Sequence, residues 1–378
     1  MRNTRKALAA ALAVICGLSL AACGAGAENK SESAPAGTTA PVSETTAETA
    51  AATETQAEEP APVTDPDRQK TLDTFRTLGE NIYSMDVFTD YKLEDYLKAN
   101  INNVDDFDAW LTENITDGVP TGKEKSPNAC SSFTAADAEG HRIFGRDYDQ
   151  DPGSSMVVRT FPKEGYSSIG VVDLSHLNIG KKCDYDIGDS GAESLLMAAP
   201  WGVCDGLNEK GLGVSVLALN EEHIVNDTEK GDLLIYAMTR ILLDKCATID
   251  EALDLLSGYD AYSPGRRTYH LFLTDLSGKS VIVEWLGGNM YTVEDDAVTN
   301  FVLHDNPDHT GDADARYVRL RNKLDGGATL NDDTAMELLL NVAQNSYSRW
   351  SALYDINDFS LDVCFAREKT NVYSFSGR

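Results

Sequence analysis

Cys130 and the charged residues that follow it are the candidates in this sequence for covalent chemistry. The stretch Gly145-Arg146-Asp147-Tyr148-Asp149 places Arg146 sixteen residues and Asp149 nineteen residues after Cys130. A cysteine thiolate is a nucleophile, and a nearby arginine stabilises both the thiolate and the negative charge that develops on an attacked carbonyl. A carboxylate can orient a cationic group through a charge-assisted hydrogen bond. These residue types suit covalent catalysis, but a lone cysteine is more often structural, and the GRDYD stretch alone is also typical of a hairpin turn.

The base that such a cysteine needs is usually a histidine. The chain has six histidines, and none of them lies in a papain-like or caspase-like sequence context. A cysteine that is the first residue of a chain can instead use its own α-amino group, whose pKa is about 8. This interpretation requires cleavage between Ala129 and Cys130.

The order and spacing of these residues resemble the choloylglycine hydrolase and penicillin V acylase family of N-terminal-nucleophile hydrolases, which cleave linear amides. In that family the nucleophilic cysteine is followed, at the same two offsets, by Arg and Asp in a GRNxD-type turn. Here Arg146 and Asp149 occupy those positions, and Asp147 stands where the family commonly has Asn.

The resemblance continues through the rest of the chain. The segment "DGLNEKGLGVSVLALN", from Asp205 to Asn220, is similar to the DGMNEKGL segment of the family. Asn300 ends "VTN", which resembles the segment with an active-site asparagine, and Arg316 in "DARYVRL" takes the place of a late active-site arginine. The oxyanion-hole asparagine aligns without gaps on Ala218, so Asn220 fits that role only after a shift of two residues.

The resemblance implies a role for each of these residues. Cys130 would attack the amide carbonyl, and its α-amine would carry the proton to the leaving amine. Arg146 would stabilise the thiolate and the developing charge, while Asp149 would orient the α-ammonium group. Asn300 would bind the amine or position the nucleophile, and Arg316 would complete the charge network.

The first residues of the chain resemble a bacterial lipoprotein signal. Arg2, Arg5 and Lys6 precede an apolar run that is short for a membrane-spanning helix, and the run ends in Leu20-Ala21-Ala22-Cys23. We therefore expect a signal peptide at 1–22, lipidation of Cys23, and an extracytoplasmic, membrane-anchored protein. An ordinary cleaved signal peptide is the alternative. Residues 23–66 lack aromatic residues and are rich in Ala, Thr, Glu, Ser and Pro, which predicts a disordered linker.

Composition and motifs exclude several classes of function. A net charge of −29 excludes nucleic acid as a partner, because phosphates require a basic face. The chain has no GxGxxG or Walker motif and no Cys/His cluster with zinc spacing, so we expect no cofactor and no metal. Four further cysteines of the folded part, Cys183, Cys204, Cys246 and Cys364, permit three disulfide pairings, but we expect mostly buried thiols.

Hydrophobic periodicity predicts a helical segment followed by a mixed domain. Apolar residues recur at helical spacing over 68–115, which suggests a helical pro-region at 67–129. Short apolar runs broken by Gly and Asn predict strands after Cys130, including two joined by a hairpin at Ser277-Gly278. Helices are predicted over 232–246, from 248 and over 332–344. We predict an α+β catalytic domain at 130–378, and the resemblance implies a four-layer αββα arrangement with antiparallel sheets.

The long region before Cys130 resembles acid ceramidase relatives, whose precursors cut themselves into two associated chains.

The sequence therefore predicts a hydrolase of linear amides that works through a thioester. Its small-molecule substrate is an N-acyl amide: a conjugated bile acid, an N-acyl amino acid or ethanolamide, or a penicillin-like compound. Two alternatives stay open, an acyltransferase of the same family and a non-catalytic ligand-binding lipoprotein. No oligomeric state is predicted.

Overall fold

A computed structural model describes residues 65–122, 129–219, 228–262, 268–305, 315–325, 329–344 and 348–378. The predicted signal peptide, Cys23, nearly all of the linker and Asn220 lie outside the described residues. None of the helices in these ranges is long and apolar enough to cross a membrane.

The described elements alternate between short helices and strands. Before Cys130 lie α1 (Pro66–Leu72), β1 (Arg76–Gly79), β2 (Ile82–Val87), α2 (Leu93–Ala99) and α3 (Val104–Asn114). Then follow β3 (Ala129–Ala136), β4 (Arg142–Asp149), β5 (Ser155–Thr160), β6 (Ser168–Asp173), α4 (Ala192–Leu196), β7 (Val203–Asn208), β8 (Gly213–Leu219), β9 (Gly231–Leu234), α5 (Ile235–Lys245), α6 (Ile249–Ser257) and β10 (Tyr259–Tyr262). The remainder comprises β11 (Thr268–Thr274), β12 (Ser280–Leu286), β13 (Asn289–Glu294), β14 (Ala297–Val298), α7 (Ala315–Leu324), α8 (Asp332–Val342), β15 (Ser348–Asp355), β16 (Ser360–Phe365) and β17 (Val372–Ser376).

Two large sheets dominate the described part of the chain. One has the strand order β1-β2-β5-β6-β7-β8-β11-β12-β13, and the other has the order β14-β3-β4-β15-β16-β17. All neighbouring strands in both sheets are antiparallel except β2 and β5, which are parallel. The strands β9 and β10 form a separate parallel pair.

The alternation of side chains along each strand sorts the core into two layers. On β11, Leu271 and Leu273 pack with the cluster that contains the buried side chains of α3 and α5, whereas Phe272 packs between the sheets. This cluster continues past the second sheet to Leu338 and Leu339 of α8, which packs against β4 and β15 on the outer face of that sheet. Helices thus cover both outer faces, which confirms the predicted α+β class and its αββα layers.

The prediction of continuous helix over 68–115 is wrong at 76–87. These residues form the hairpin of β1 and β2, whose turn has Asn81 in the left-handed region at φ 59°. The strand β2 alternates Met85 and Val87, which are buried, with half-buried Ser84 and Asp86, and it pairs with β5 along its whole length. Pairing with β5 provides hydrogen-bond partners for the backbone of β2. The segment is therefore a strand, because tertiary context outweighs the weak intrinsic preference of its residues.

The segment before Cys130 is built into the core of the domain. The indole of Trp201 lies against three aromatic rings of that segment, with centroids at 4.8 Å from Tyr96, 5.6 Å from Trp110 and 6.0 Å from Phe107. The indole N–H also donates to the carbonyl of Tyr91 at 3.0 Å. These contacts and the β2–β5 pairing join residues 65–122 to the first sheet.

Two local signals in the sequence are confirmed. The hairpin between β11 and β12 turns at Ser277-Gly278, where Gly278 has φ +87° and Asp275 Oδ1 accepts the N–H of Ser277 at 2.9 Å. The Thr248 hydroxyl caps α6 by accepting the N–H of Glu251 at 3.2 Å, as the capping sequence predicts. All five cysteines of the described ranges are free thiols, and four of them are buried.

The side chain of Asn208 joins the β7–β8 turn to α5. Its Oδ1 accepts the N–H groups of Lys210 and Leu212 at 3.1 and 3.0 Å. Its Nδ2 donates to the carbonyls of Leu243 and Cys246 at 2.9 and 2.8 Å, at the C-terminal end of α5. One fully buried amide therefore satisfies four backbone groups.

We expect Asn208→Ala to lower the free energy of unfolding by about 3 kcal/mol, because buried polar groups left without partners cost about 1–3 kcal/mol each. Urea unfolding followed by circular dichroism measures the change. The matched control is Asn289→Ala, which removes an exposed turn amide bonded to the Gly287 carbonyl and should change stability by less than about 0.5 kcal/mol. Equal effects of the two substitutions would contradict the structural role of Asn208.

Candidate active site

Cys130 lies at the start of β3, with its side chain directed between the two sheets. Pairing of β3 with β4 sets Cys130 opposite Tyr148 and Ser132 opposite Arg146. Side chains at these positions share one face, and Ser132 Oγ lies 2.8 Å from Ser215 Oγ on β8. The thiol of Cys130 is therefore fully buried between β3 and the first sheet.

Arg146 is the direct partner of the thiol. Its Nη2 lies 3.0 Å from Cys130 Sγ and donates to the carbonyl of Val216 on β8 at 2.8 Å. Its Nη1 donates to the carbonyl of Asp147 at 2.9 Å. Burial raises the pKa of the Cys130 thiol above its ordinary value, while Arg146 opposes this shift by favouring the thiolate.

Asp205 is a site residue that motif comparison did not single out. Its Oδ2 lies 3.6 Å from Arg146 Nε, and its carboxylate accepts hydrogen bonds from Tyr354 Oη at 2.6 Å and Trp350 Nε1 at 3.1 Å. Burial raises the pKa of Asp205 to about 6, although these three partners favour its ionised form. The only sequence signal was its position at the start of the DGLNEKGL segment.

Asn300 and Arg316 hold the backbone of Cys130. The amide N–H of Cys130 donates to Asn300 Oδ1 at 2.6 Å, and Arg316 Nη1 donates to the Cys130 carbonyl at 2.9 Å. Arg316 Nη2 also donates to Asn300 Oδ1 at 3.0 Å. Both residues predicted from the later segments thus contact the backbone of Cys130.

Asp149 is linked to Cys130 through Arg316, which contacts both residues. Its Oδ1 accepts the N–H of Gln344 at 2.8 Å and the hydroxyl of Ser348 at 2.5 Å, and its Oδ2 lies 3.5 Å from Arg316 Nη1. In the uncut chain the N–H of Cys130 is bonded to Asn300, so Asp149 acts on the site through Arg316.

Ala218, which aligns with the oxyanion-hole asparagine of the family, takes part in the site through its backbone carbonyl. The carbonyl of Ala218 accepts a hydrogen bond from Asn300 Nδ2 at 2.6 Å. The backbone at the aligned position therefore orients Asn300. Asn220, the predicted donor, lies outside the described residues.

An apolar cleft lies close to the thiol, although Cys130 itself is not part of its lining. Tyr148, the strand neighbour of Cys130, and Val216, whose carbonyl binds Arg146, are part of its lining. Phe107 and Leu111 of α3 also line it. The cleft is mostly apolar, as expected for a site that binds an acyl group.

A cysteine–histidine contact does exist in the described structure, but its cysteine is Cys204. Sγ of Cys204 lies 3.9 Å from His176 Nδ1. Burial, together with the carboxylates of Asp173 and Asp205, raises the pKa of this thiol well above its ordinary value. Cys204 is therefore a weak candidate for a thiolate nucleophile.

A possible group of metal ligands lies elsewhere, on the surface. His141, Asp355 and Asp358 place ligand atoms within 4.8 Å of one another. One oxygen of Asp355 already accepts the N–H groups of Asn357 and Asp358, both at 2.9 Å, which is the bonding of a turn. These residues have a structural explanation and are not part of the candidate active site.

Comparison with known proteins places the chain in a family. Residues 136–369 match the family described as acyl-coenzyme A:6-aminopenicillanic acid acyl-transferase. The match spans more than half of the chain and includes Arg146, Asp149, Asn300 and Arg316. The chain belongs to this family. Its members include amide hydrolases and acyltransferases of the N-terminal-nucleophile type, so the predicted family is confirmed at that level.

One curated relative is a penicillin V acylase of Pectobacterium atrosepticum, which is 36% identical over 95 residues. That match covers 22% of this chain and 25% of the relative's length. Among solved structures, a penicillin V acylase from Agrobacterium tumefaciens has a TM-score of 0.47 at 19% identity, covering 65% of this chain and 86% of that chain. A variant of the conjugated bile acid hydrolase from Clostridium perfringens has a TM-score of 0.47 at 14% identity, covering 65% and 92%.

The departure of Asp147 from the family's usual Asn puts a second buried carboxyl group beside Asp149. Both residues lie on the face of β4 opposite to Arg146, and Ser351 Oγ donates to Asp147 Oδ1 at 2.7 Å. Burial and, next, the neighbouring Asp149 raise the pKa of Asp147 well above its ordinary value. Asp147 therefore stays protonated in the folded protein at pH values where it is ionised in the unfolded chain.

We expect Asp147→Asn to stabilise the protein in a pH-dependent way. A raised folded-state pKa means that the contribution of Asp147 to stability is most favourable below about pH 4, the unfolded value, and that it is lost as pH rises through the folded pKa. Asparagine cannot ionise, so the gain in Tm should be absent near pH 4 and grow toward pH 8. The exposed control Asp358→Asn should show no such trend in differential scanning fluorimetry. A Tm gain that is the same at both pH values would contradict this account.

Proposed function

We propose that the protein is a cysteine-dependent hydrolase of linear N-acyl amides that works through a thioester on Cys130. The observation that carries this proposal is the 3.0 Å contact between Arg146 Nη2 and Cys130 Sγ, beside an apolar cleft. The guanidinium lowers the free energy of the thiolate that attacks the carbonyl carbon. Family membership supports the same chemistry.

The α-amino group of Cys130 serves as the base in this proposal. It takes the thiol proton as sulfur attacks, and it returns a proton to the leaving nitrogen when the C–N bond breaks. Water then opens the thioester and releases the acid. Arg146 stabilises negative charge at the sulfur, and Asn220 donates to the oxyanion, as the resemblance implies.

The base becomes available only after cleavage between Ala129 and Cys130, which we propose the protein performs itself through attack of the adjacent thiol on the Ala129 carbonyl. An amide nitrogen has one hydrogen to donate, and Asn300 accepts it at 2.6 Å. The freed ammonium group has three hydrogens and a positive charge, so Asp149, the strand neighbour of Ala129, can then orient it. Arg316 stays bonded to the Cys130 carbonyl in both states.

The two chains that result would stay together. The N-terminal chain holds β2, which pairs with β5, and the aromatic residues that surround Trp201. We propose that this chain also holds the anchor, with a signal peptide at 1–22 and a lipid on Cys23, so that the active protein is attached to the outer side of the membrane. The sequence resemblance to a lipoprotein signal supports this location.

The substrate is a small molecule in which an apolar acyl group is linked to an amine. The cleft next to Cys130 supports an apolar acyl group, and conjugated bile acids, N-acyl amino acids, N-acyl ethanolamides and penicillins all meet this description. An acyltransferase is the second candidate, and the description of the family favours it. In that reaction an amine rather than water accepts the acyl group from the thioester.

Replacement of Cys130 tests both the reaction and the cleavage. We expect Cys130→Ala to lower the turnover of a panel of N-acyl amides by more than about 1000-fold, because the nucleophile and its amine are lost together. Mass spectrometry should find two chains in the wild type, one beginning at Cys130, and one uncut chain in the variant. The matched control is Cys204→Ala, which removes the thiol beside His176 and should keep cleavage intact and turnover within about tenfold.

Wild-type protein that is active as one uncut chain would contradict the α-amine mechanism. Cys204→Ala as the inactive variant would move the nucleophile to the Cys204–His176 pair. Addition of a second amine during turnover separates the two candidate reactions, since an acyltransferase forms a new amide and a hydrolase forms only the free acid.

A further inference from the structure

A helix that precedes Cys130 in the chain supplies part of the lining of the nearby cleft. We propose that α3 sets the maximum length of the acyl group, so that Phe107 and Leu111 determine specificity for linear aliphatic acyl chains. This inference rests on the proposed function, in which the acyl group is bonded to Cys130 Sγ.

The cleft lies near the reacting sulfur, because two residues that neighbour Cys130 or its partner Arg146 line it. Tyr148 lies opposite Cys130 in the β3–β4 pairing, and Val216 accepts a hydrogen bond from the same Arg146 Nη2 that contacts Sγ. Tyr148 and Val216 both line the cleft. An acyl group on Sγ therefore has this cleft as its neighbouring apolar space.

One face of α3 forms part of the cleft lining. Val104, Phe107 and Leu111 follow one another at spacings of three and four residues, which places them on a single side of the helix. All three line the cleft, and Phe107 and Leu111 are only 6% and 3% exposed. Two bulky side chains thus stand where a longer acyl chain would continue.

The helix α3 is held firmly enough to act as a fixed wall. The Asn103 side chain caps it by accepting the N–H of Asp106 at 2.9 Å, and Thr121 Oγ1 donates to Asp108 Oδ1 at 3.1 Å. On the cleft side, the Phe107 ring lies 6.0 Å from Trp201. Because the apolar face of α3 is closely packed, movement of this helix away from the cleft would lose packing contacts.

The test measures kcat/KM of the mature wild type for N-acyl glycines with saturated linear acyl groups of increasing length. Each methylene that enters the apolar cleft should raise kcat/KM by about fourfold, until the chain meets α3 and the value falls. Leu111→Ala should move the optimum to an acyl chain longer by about two carbons, because it removes the side chain at the wall. Phe107→Leu should produce a smaller shift in the same direction.

The matched control is Ile115→Ala. Ile115 follows α3 directly, is 7% exposed and belongs to the same core cluster, but it is not part of the cleft lining. Its truncation should lower the Tm much as Leu111→Ala does while leaving the optimal chain length unchanged. A length shift in Leu111→Ala but not in Ile115→Ala supports the inference.

Two results would overturn the inference, and they are distinguishable. Turnover that depends on Cys130 but keeps the same length optimum in Leu111→Ala and Phe107→Leu overturns the role of α3 alone. Absence of Cys130-dependent turnover for every member of the series overturns the proposed function, and the inference with it.

Discussion

The buried guanidinium of Arg146 is the contact on which the candidate site depends. It lies between the two sheets, where it binds Cys130 Sγ and the Val216 carbonyl and forms an ion pair with Asp205. A buried positive charge requires such compensation, because desolvation of an unpaired ion costs several kcal/mol. The distance between β4 and β8, and with it the position of the thiol, is therefore fixed by the bonding needs of one side chain.

The backbone of Cys130, the proposed nucleophile, is held by hydrogen bonds as its side chain is. Asn300 accepts the N–H of Cys130, and Arg316 donates to its carbonyl. Arg316 also binds Asn300, and Asn300 is oriented by the Ala218 carbonyl, so these contacts form one network. A reacting atom held in this way keeps its geometry with little further loss of entropy, which is the usual physical origin of proximity effects in catalysis.

The segment before Cys130 has a structural role that extends into the site. Its strand β2 adds to the first sheet beside β5, and its helix α3 supplies part of the lining of the cleft near Cys130. The Trp201 indole binds this segment through ring contacts and through the Tyr91 carbonyl. The same contacts therefore stabilise the fold and shape the space available to a substrate.

The sequence by itself determined the local features whose signals are contained in neighbouring residues. These are the strands after Cys130, the cap at Thr248 and the hairpin at Ser277-Gly278. The roles of Cys130, Arg146 and Asp149 came from the resemblance to a family and belong to the proposed function. Only the tertiary structure decided which atoms meet. Asp205 pairs with Arg146, Asn300 takes the N–H of Cys130, and residues 76–87 form strands, because each depends on partners distant in sequence. Periodicity records which face of an element is apolar, whereas hydrogen bonds across sheets depend on how the elements are placed.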